Sequence, residues 1–350
     1  MFSSKYVFKR GNIMIKPKFL KIGIVMSALL FSLTACSNAS TDENDTGQAV
    51  EASAATTVEI TDAHGTITVP VNPEKVVALD SRAFETLESW GVKLSAAPKG
   101  VMNEASSYIS DESVQDIGNH REPNLEIIAA IEPDLVIIGQ RFAGFYEEIK
   151  ELVPNAVVID LNFDVSETSE NPGQNLVDGF KNSTTSLGKI FDKNDEAEQL
   201  IADFEGSIEK AKEAYNGTDK MISVIVSGGN IGYSAPGHGR VWGPVSEILG
   251  WTPAIGVDNT TGDHQGDDIS VEAIAQSNPD WIFVLDRDGA TQSDEESTPA
   301  QDVIDNSPAL QNTTAIVEGN IVYAPVDTYT NESIQTYKEI FDIIASSLTK

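Results

Sequence analysis

The chain has 350 residues, and its 54 Asp and Glu residues outnumber its 23 Lys and Arg residues, which gives a formal net charge of −31. Such an acidic chain is poorly suited to bind nucleic acid or an anionic lipid surface, because phosphate groups are held by basic patches. Since the chain contains a single cysteine, a disulfide within it is excluded.

The first 35 residues predict a secretory signal. An apolar run from Ile22 to Leu33, too short to span a bilayer comfortably, follows a basic segment without acidic residues. The run leads into Leu33-Thr-Ala-Cys36, which resembles the lipobox of bacterial lipoproteins. Residues 1–35 are therefore predicted to be a lipoprotein signal peptide, with Cys36 as the lipidated residue that bears the palmitate anchor. The alternative is an ordinary secretory signal with an incidental thiol.

Residues 36–57 are small, polar and acidic, and this composition predicts a disordered tether. The remainder, from Val58 to Lys350, has room for two domains of ordinary size. Its first residues alternate between polar and apolar side chains on both sides of Asp62-Ala-His-Gly65, a pattern that predicts an opening β-hairpin.

Short apolar runs then alternate with amphipathic stretches, which is typical of βαβ units around a mostly parallel sheet. The first half predicts strands at Val76–Leu79, Leu94–Ala97, Leu135–Ile138 and Val157–Ile159, with helices at Ala83–Trp90, Leu125–Ala130 and Phe145–Leu152. The second half predicts strands at Ile222–Val226 and Trp281–Leu285, with helices at Val241–Leu249, Val271–Ala275 and Glu332–Leu348.

A long helical pattern from Gln174 to Tyr215 separates the two halves, without a linker rich in proline or glycine. We therefore predict an α/β fold of two Rossmann-like lobes joined by one long backbone helix. The expected boundaries are residues 58–173 for the N-terminal lobe, 174–192 for the interdomain helix and 193–350 for the C-terminal lobe.

An internal repeat is the most informative pattern in the chain. The segment from Asn124 to Arg141 aligns without a gap with the segment from Ser270 to Arg287, and six positions are identical. Each copy predicts a short helix, a Pro-Asp turn, a buried strand and an arginine just beyond the strand. Because ligands of open parallel sheets bind at the carboxyl ends of the strands, one arginine from each lobe is expected to face the crevice between them.

A third arginine, Arg240, lies in the glycine-rich loop Gly237-His-Gly-Arg-Val-Trp-Gly243 that leads into a helix. Three guanidiniums around a cleft favour a ligand of charge about −3, such as a ferric tris-catecholate. The alternative is that these arginines form ordinary surface salt bridges. Trp242 follows Arg240 closely enough to line the cleft and stack on an aromatic ligand.

The chain resembles the ferric siderophore-binding lipoproteins of ABC importers, in the branch similar to petrobactin- and enterobactin-type catecholate binders. The resemblance covers essentially all of Val58 to Lys350. It depends on Gly139-Gln-Arg141, on Gly239-Arg240, on Asp286-Arg287 and on the run from Glu122 to Glu126. It implies a class III periplasmic binding protein with two lobes, one backbone helix and little domain closure.

The resemblance also implies roles for individual residues. Arg141, Arg240 and Arg287 are expected to contact the siderophore, and His264 and Tyr329 to complete the iron shell when the siderophore supplies only four donors. Iron would then be part of the ligand, without an intrinsic cofactor.

Glu126 and Glu272 occupy equivalent positions in the two repeat copies. The resemblance implies that this pair docks onto the permease, one glutamate for each transmembrane subunit. The alternative is that each is a solvated glutamate at a helix start, where the helix dipole favours a negative charge. The protein is expected to work as a monomer, lipid-anchored to the extracytoplasmic face of the cell membrane.

Three other functions fit these features less well. Haem and corrinoids would not specially require three convergent arginines, and the complex of a hydroxamate siderophore is often neutral or cationic. A structural or adhesive lipoprotein would not explain the repeat-related arginines. A surface hydrolase is disfavoured because the sequence has no Gly-x-Ser-x-Gly elbow, HExxH helix or P-loop, so no catalytic residue is predicted and an enzyme is not expected.

Overall fold

The computed structural model describes residues 56–350, except 167, 259 and 292–297. The predictions for the signal peptide, for Cys36 and for residues 36–55 of the tether lie outside the described residues. Thr57, the last residue assigned to the tether, begins the first strand. No helix in the described part of the chain combines the length and the apolar character that a membrane crossing needs.

The strands of the described residues are, in chain order, β1 (Thr57–Asp62), β2 (Gly65–Pro70), β3 (Val76–Ala78), β4 (Ala96–Ala97), β5 (Gln115–Asp116), β6 (Leu135–Ile138), β7 (Val157–Asp160), β8 (Lys220–Ser227), β9 (Asn230–Tyr233), β10 (Thr252–Pro253), β11 (Trp281–Asp286) and β12 (Ile321–Tyr323).

The α-helices are α1 (Phe84–Ser89), α2 (Ser107–Ser110), α3 (Leu125–Ile131), α4 (Tyr146–Leu152), α5 (Pro172–Ile190), α6 (Asn194–Ala214), α7 (Trp242–Leu249), α8 (Val271–Ser277), α9 (Arg287–Thr291), α10 (Ala300–Asp305), α11 (Thr314–Glu318) and α12 (Ile334–Leu348). Three short 3-10 helices add Lys99–Val101, Gln140–Phe145 and Leu310–Asn312.

The chain opens with the predicted hairpin. β1 and β2 pair antiparallel, from Thr57 opposite Pro70 to Asp62 opposite Gly65. Alternate residues such as Ile60 and Val69 are buried against the next part of the fold, as expected for a sheet with one covered face.

The first sheet has the strand order β5-β4-β3-β6-β7, and all its pairs are parallel. All four residues of β6 are buried, because parallel strands are covered by helices on both faces and therefore consist of continuous apolar runs. We call the elements built on this sheet the N-terminal lobe.

The second sheet has the order β10-β8-β11-β12, again parallel, and β9 is added antiparallel to β8. We call the elements built on it the C-terminal lobe. The central strands β8 and β11 correspond to predicted strands, whereas β9 and β12 were not predicted. The α/β fold with parallel sheets is confirmed.

The repeat corresponds to matching pieces of the two lobes. In each copy the helix, α3 or α8, ends at a residue in the left-handed conformation, and a Pro-Asp pair precedes the central strand. The Asp134 carboxylate accepts the backbone N–H of Lys75 at 2.8 Å, and the Asp280 carboxylate accepts that of Lys220 at 2.8 Å. Each aspartate thus ties its own strand to the start of the neighbouring strand, which explains why the Pro-Asp pair recurs.

The helical pattern from Gln174 to Tyr215 forms two helices, and the first of them, α5, covers the segment predicted as the interdomain helix. The chain turns at residues 191–193, where Asp192 takes a φ of +53°, so α5 and α6 are two helices instead of one. Leu176 and Phe180 of α5 belong to the apolar core of the C-terminal lobe, whereas Leu187 and Ile190 belong to that of the N-terminal lobe. One helix therefore takes part in both cores.

Candidate ligand-binding site

A cavity of about 660 Å³ is lined by residues of both lobes. Five of the six side chains predicted to bind the ligand line it: Arg141, Arg240, Arg287, His264 and Tyr329. Additional charged or polar side chains also line it: Lys99, Asn103, Glu104, His120, Arg121 and Asp327. The structure therefore brings together residues that lie far apart in the sequence.

The two repeat-related arginines occupy matching places. Arg141 follows the end of β6 by three residues, and Arg287 directly follows the end of β11. Because both strands are central and parallel, their carboxyl ends are where an open sheet presents its loops to a ligand. Arg287 donates to the Ser227 hydroxyl at 3.0 Å, which positions its guanidinium from the neighbouring strand β8.

Arg240 is positioned by the tightly folded loop before α7. A Cβ added at Gly239 would lie 2.3 Å from Ser234 Oγ and 2.5 Å from the backbone nitrogen of Ala235, so only glycine fits there. The loop also holds Val241 at a φ of +63°, which is rare for a β-branched residue. This local strain turns the chain so that Arg240 lines the cavity.

The three guanidiniums surround Tyr329. Their central carbons lie 4.1 Å (Arg240), 5.3 Å (Arg287) and 5.8 Å (Arg141) from the centre of the Tyr329 ring. The backbone carbonyl of Tyr329 accepts hydrogen bonds from Arg141 at 3.0 Å and from Arg240 at 3.2 Å. Cation–π contacts of this kind partly offset the repulsion between neighbouring positive charges.

Arg240 also donates to the carboxylate of Glu332, which is 5% exposed. Burial alone raises the pKa of Glu332, but Arg240, Arg82 and Arg141 outweigh that effect, and its pKa lies below the ordinary value. Burial lowers the pKa of Arg240, but the Glu332 carboxylate, Tyr329 and Tyr337 together more than compensate, so its pKa lies above the ordinary value. Both groups are charged at neutral pH.

For Arg141 the compensation by Glu332 and Tyr329 is incomplete. Burial, together with the nearby charge of Arg240, lowers its pKa below the ordinary value. The pKa of His120, in the N-terminal wall of the cavity, is also lowered, first by burial and then by Arg141 and Arg121. The cavity therefore disfavours additional positive charge, as expected of a site suited to an anion.

His264 lines the cavity from a loop of the C-terminal lobe, and its side chain is 51% exposed. Its Nδ1 lies 3.8 Å from the carboxylate of the neighbouring Asp263. Backbone hydrogen bonds between Tyr233 and Asp267 attach the loop to β9. The loop thus places an imidazole at the cavity, while its ring stays open to solvent.

The structure corrects the prediction for Trp242. Its side chain is fully buried in the core of the C-terminal lobe, where its ring lies 5.4 Å from that of Phe283, and it does not line the cavity. The first turn of α7 aims residue 242 inward, toward the sheet, while Arg240 lies before the helix and points the other way. Proximity in sequence to Arg240 was therefore a poor guide.

The sequence reasoning did not select Glu332 or His120. Glu332 was assigned only to the start of the final helix. Neither residue belongs to a motif, since Glu332 meets Arg240 only through the fold. Among the described residues, no three His, Cys, Asp or Glu side chains are grouped to hold a metal ion.

Glu126 and Glu272 occupy matching places at the surface. Each lies in the first turn of its helix, α3 in the N-terminal lobe and α8 in the C-terminal lobe, and each is exposed. The repeat therefore presents one carboxylate on each lobe.

Residues 76–328 match the sequence pattern of a known family, described as periplasmic binding protein. The chain belongs to this family. Its members are substrate-binding proteins. The match extends across both lobes and includes four of the five predicted residues that line the cavity; Tyr329 lies one residue beyond its end.

Individual relatives are similar over most of their length. The petrobactin-binding protein YclQ of Bacillus subtilis is 30% identical over 88% of this chain and 92% of its own. The ferric-anguibactin-binding protein FatB of Vibrio anguillarum is 28% identical over 80% of this chain and 84% of its own. The crystal structure of YclQ superposes with a TM-score of 0.69 at 25% identity, covering 84% of this chain and 99% of that one.

Proposed function

We propose that this protein binds an anionic ferric siderophore of the catecholate type outside the membrane and delivers it to the permease of an ABC importer. The observation that carries the proposal is the cavity in which Arg141, Arg240 and Arg287, contributed by both lobes, surround Tyr329. The family, and the siderophores named for YclQ and FatB, support the same ligand class.

The chemistry of the cavity suits this ligand. Guanidiniums remain cationic at all physiological pH values and present several N–H donors to oxygen anions, which in a ferric catecholate are the phenolate oxygens around the metal. The cavity volume of about 660 Å³ is in the range of small-molecule sites. His264 and the Tyr329 phenol are proposed to complete the iron shell when a siderophore supplies only four donors, because ferric iron accepts phenolate oxygen and imidazole.

The delivery step uses other parts of the chain. Cys36 is proposed to carry the lipid that holds the protein on the extracytoplasmic face of the cell membrane. Glu126 and Glu272, exposed on opposite lobes, are proposed to dock onto cationic residues of two permease subunits. The protein would do this as a monomer, without an intrinsic cofactor and without catalysis.

The test is a titration of the purified protein with ferric complexes of a tris-catecholate, a bis-catecholate and a trihydroxamate, followed by tryptophan fluorescence. We expect tight binding of the catecholates only. Arg141→Ala and Arg287→Ala should each weaken it by roughly tenfold to a hundredfold, the size of a lost charged hydrogen bond.

The matched control is Lys210→Ala, which removes one positive charge from a surface position whose side chain is 70% exposed, on α6. It should leave the affinity unchanged. If the trihydroxamate binds and the catecholates do not, the ligand class is wrong. If Lys210→Ala weakens binding as much as the arginine variants do, the arginines act only through the overall charge.

A further inference from the structure

The carboxylate of Glu332 bridges the two lobes at the cavity. Its Oε1 accepts from Arg240 of the C-terminal lobe, and its Oε2 accepts from the side-chain amide of Gln140 at 2.8 Å. Gln140 immediately precedes Arg141 in the N-terminal lobe. Glu332 therefore contacts the cavity residue Arg240 directly. It also contacts Gln140, which is the neighbour of the cavity residue Arg141 in the chain.

The three cavity arginines differ in how their charge is balanced. Arg240 has the Glu332 carboxylate as a partner. Arg141 donates to a backbone carbonyl, and Arg287 donates to the hydroxyl of Ser227, both of which are neutral acceptors. Within the described residues, no carboxylate forms an ion pair with Arg141 or Arg287. The repeat-related pair thus keeps its full positive charge, whereas the charge of the third arginine is neutralised.

Glu332 lies behind the cavity lining, in contact with Arg240, so the three lining arginines and this carboxylate together carry a net charge of +2. Among the other residues that line the cavity, the positive Lys99 and Arg121 are matched in number by the negative Glu104 and Asp327. Two other buried side chains lie outside the cavity lining: Asp80, whose pKa is raised by burial and which accepts the backbone N–H of Arg82, and Arg82 itself, which packs 3.9 Å above the ring of Phe163.

A purely structural ion pair would explain the burial of Glu332 but not its position. Arg240 is already held by the Tyr329 carbonyl and by the tight loop at Gly239. A buried carboxylate that is not needed to position the arginine still lowers the positive potential that a ligand experiences. Burying the Glu332 carboxylate costs free energy. A lower positive potential in the cavity can serve selection among ligands, because specificity often depends on an element that disfavours the wrong partner.

We propose that Glu332 is a built-in counter-anion of the arginine cluster. It makes the site prefer ferric complexes with two negative charges or fewer over trianionic complexes. This proposal rests on the proposed function and names the ligand charge within it. The favoured class includes bis-catecholate complexes and mixed complexes in which one donor group is neutral. A ferric tris-catecholate, a trianion, would leave one of its charges unmatched in a cavity of low dielectric constant.

The test compares two probes of the same shape and different charge. Gallium(III) tris-catecholate is a trianion, and germanium(IV) tris-catecholate is a dianion. Their affinities are measured by competition with a bound ferric complex, and the quantity of interest is the ratio of trianion affinity to dianion affinity. Glu332→Gln should raise this ratio by roughly tenfold, the size expected for one unit charge on the order of 10 Å away.

Glu339→Gln is the matched control, because it removes one carboxylate from the exposed face of α12, close in sequence to Glu332. It should leave the ratio unchanged. If both probes bind and Glu332→Gln changes the ratio by less than about twofold, the inference is overturned while the proposed function stands. If neither the probes nor the ferric complexes bind the unmodified protein, the proposed function itself fails.

A second variant keeps the inference testable if Glu332→Gln does not fold. The double substitution Arg240→Gln with Glu332→Gln removes the ion pair as a unit and leaves the net charge at +2. Replacing both partners of a buried pair is tolerated much better than removing one. The double variant should keep the ratio of the unmodified protein, although both probes bind more weakly. A ratio shifted by roughly tenfold in the double variant would overturn the inference.

Discussion

Replacing Glu332 by glutamine should destabilise the folded chain by a measurable amount. The substitution keeps the size of the side chain and removes its charge, so Arg240 loses the carboxylate that compensates it. Removing one partner of a buried ion pair costs roughly 3–5 kcal/mol. Because Arg240 keeps the Tyr329 carbonyl as an acceptor, we expect a loss near the lower limit, about 3 kcal/mol.

This loss can be converted into a melting temperature. An unfolding entropy of about 2.1 cal/mol/K per residue gives roughly 0.6 kcal/mol/K for a folded part of this size. A loss of ~3 kcal/mol therefore lowers the Tm by about 5 °C. The measurement is a thermal unfolding curve at pH 7, with Glu339→Gln as the control that should not change the Tm.

The effect should depend on pH. Burial raises the pKa of Glu332, but the arginines outweigh burial and hold its pKa below the ordinary value of 4.5. A carboxylate with a lowered pKa stabilises the folded state above its pKa in the unfolded chain, and this contribution is lost as the pH falls through the folded-state pKa. The Tm difference between the two proteins should therefore be complete at pH 7 and shrink below pH 4.5.

Two results would refute this reasoning. A Tm difference smaller than about 1 °C at pH 7 would mean that the Arg240 guanidinium is adequately solvated without Glu332. A difference that is equally large at neutral and at acidic pH would mean that the loss of stability does not arise from the charge of the carboxylate.

Two further predictions concern the loop of the C-terminal lobe and the surface. Gly232→Ala should weaken binding several-fold in the titration with ferric catecholates. The alanine Cβ would lie 2.0 Å from the backbone oxygen of Gln265 and displace the loop that carries His264. Unchanged affinity would show that this loop does not contact the ligand. Charge reversal at both Glu126 and Glu272 should abolish iron uptake by cells and leave binding by the purified protein intact, whereas normal uptake would exclude their docking role.

The parts of the fold that sequence could predict are those determined by local pattern. Buried parallel strands such as Leu135–Ile138 consist of continuous apolar residues, and the repeat linked two of them to an arginine at an equivalent position. The topology of an open parallel sheet then placed Arg141 and Arg287 at the carboxyl ends of the strands, where both line the cavity, without knowledge of any contact. The strands β9 and β12 were not predicted, because both lie at a sheet edge and are only partly buried, so neither is a continuous run of buried apolar residues like β6.

Side-chain partnerships between distant segments could not be predicted. Glu332 meets Arg240 across 92 positions of sequence, and nothing near either residue indicates the partner. The direction in which a side chain points at a helix start is equally hidden, which is why Trp242 was placed at the ligand although it packs on Phe283. Local sequence determines which element forms, whereas the packing of elements determines what each side chain contacts.

The helix α5 belongs to the apolar cores of both lobes, through Leu176 and Phe180 at one end and through Leu187 and Ile190 at the other. Unfolding either sheet would expose part of this shared helix to water. The two lobes therefore form one cooperative unit, and a calorimetric scan should show a single heat-absorption peak. A destabilising substitution in either core lowers the resistance of the whole molecule to heat and to proteolysis, including the lobe that it does not touch.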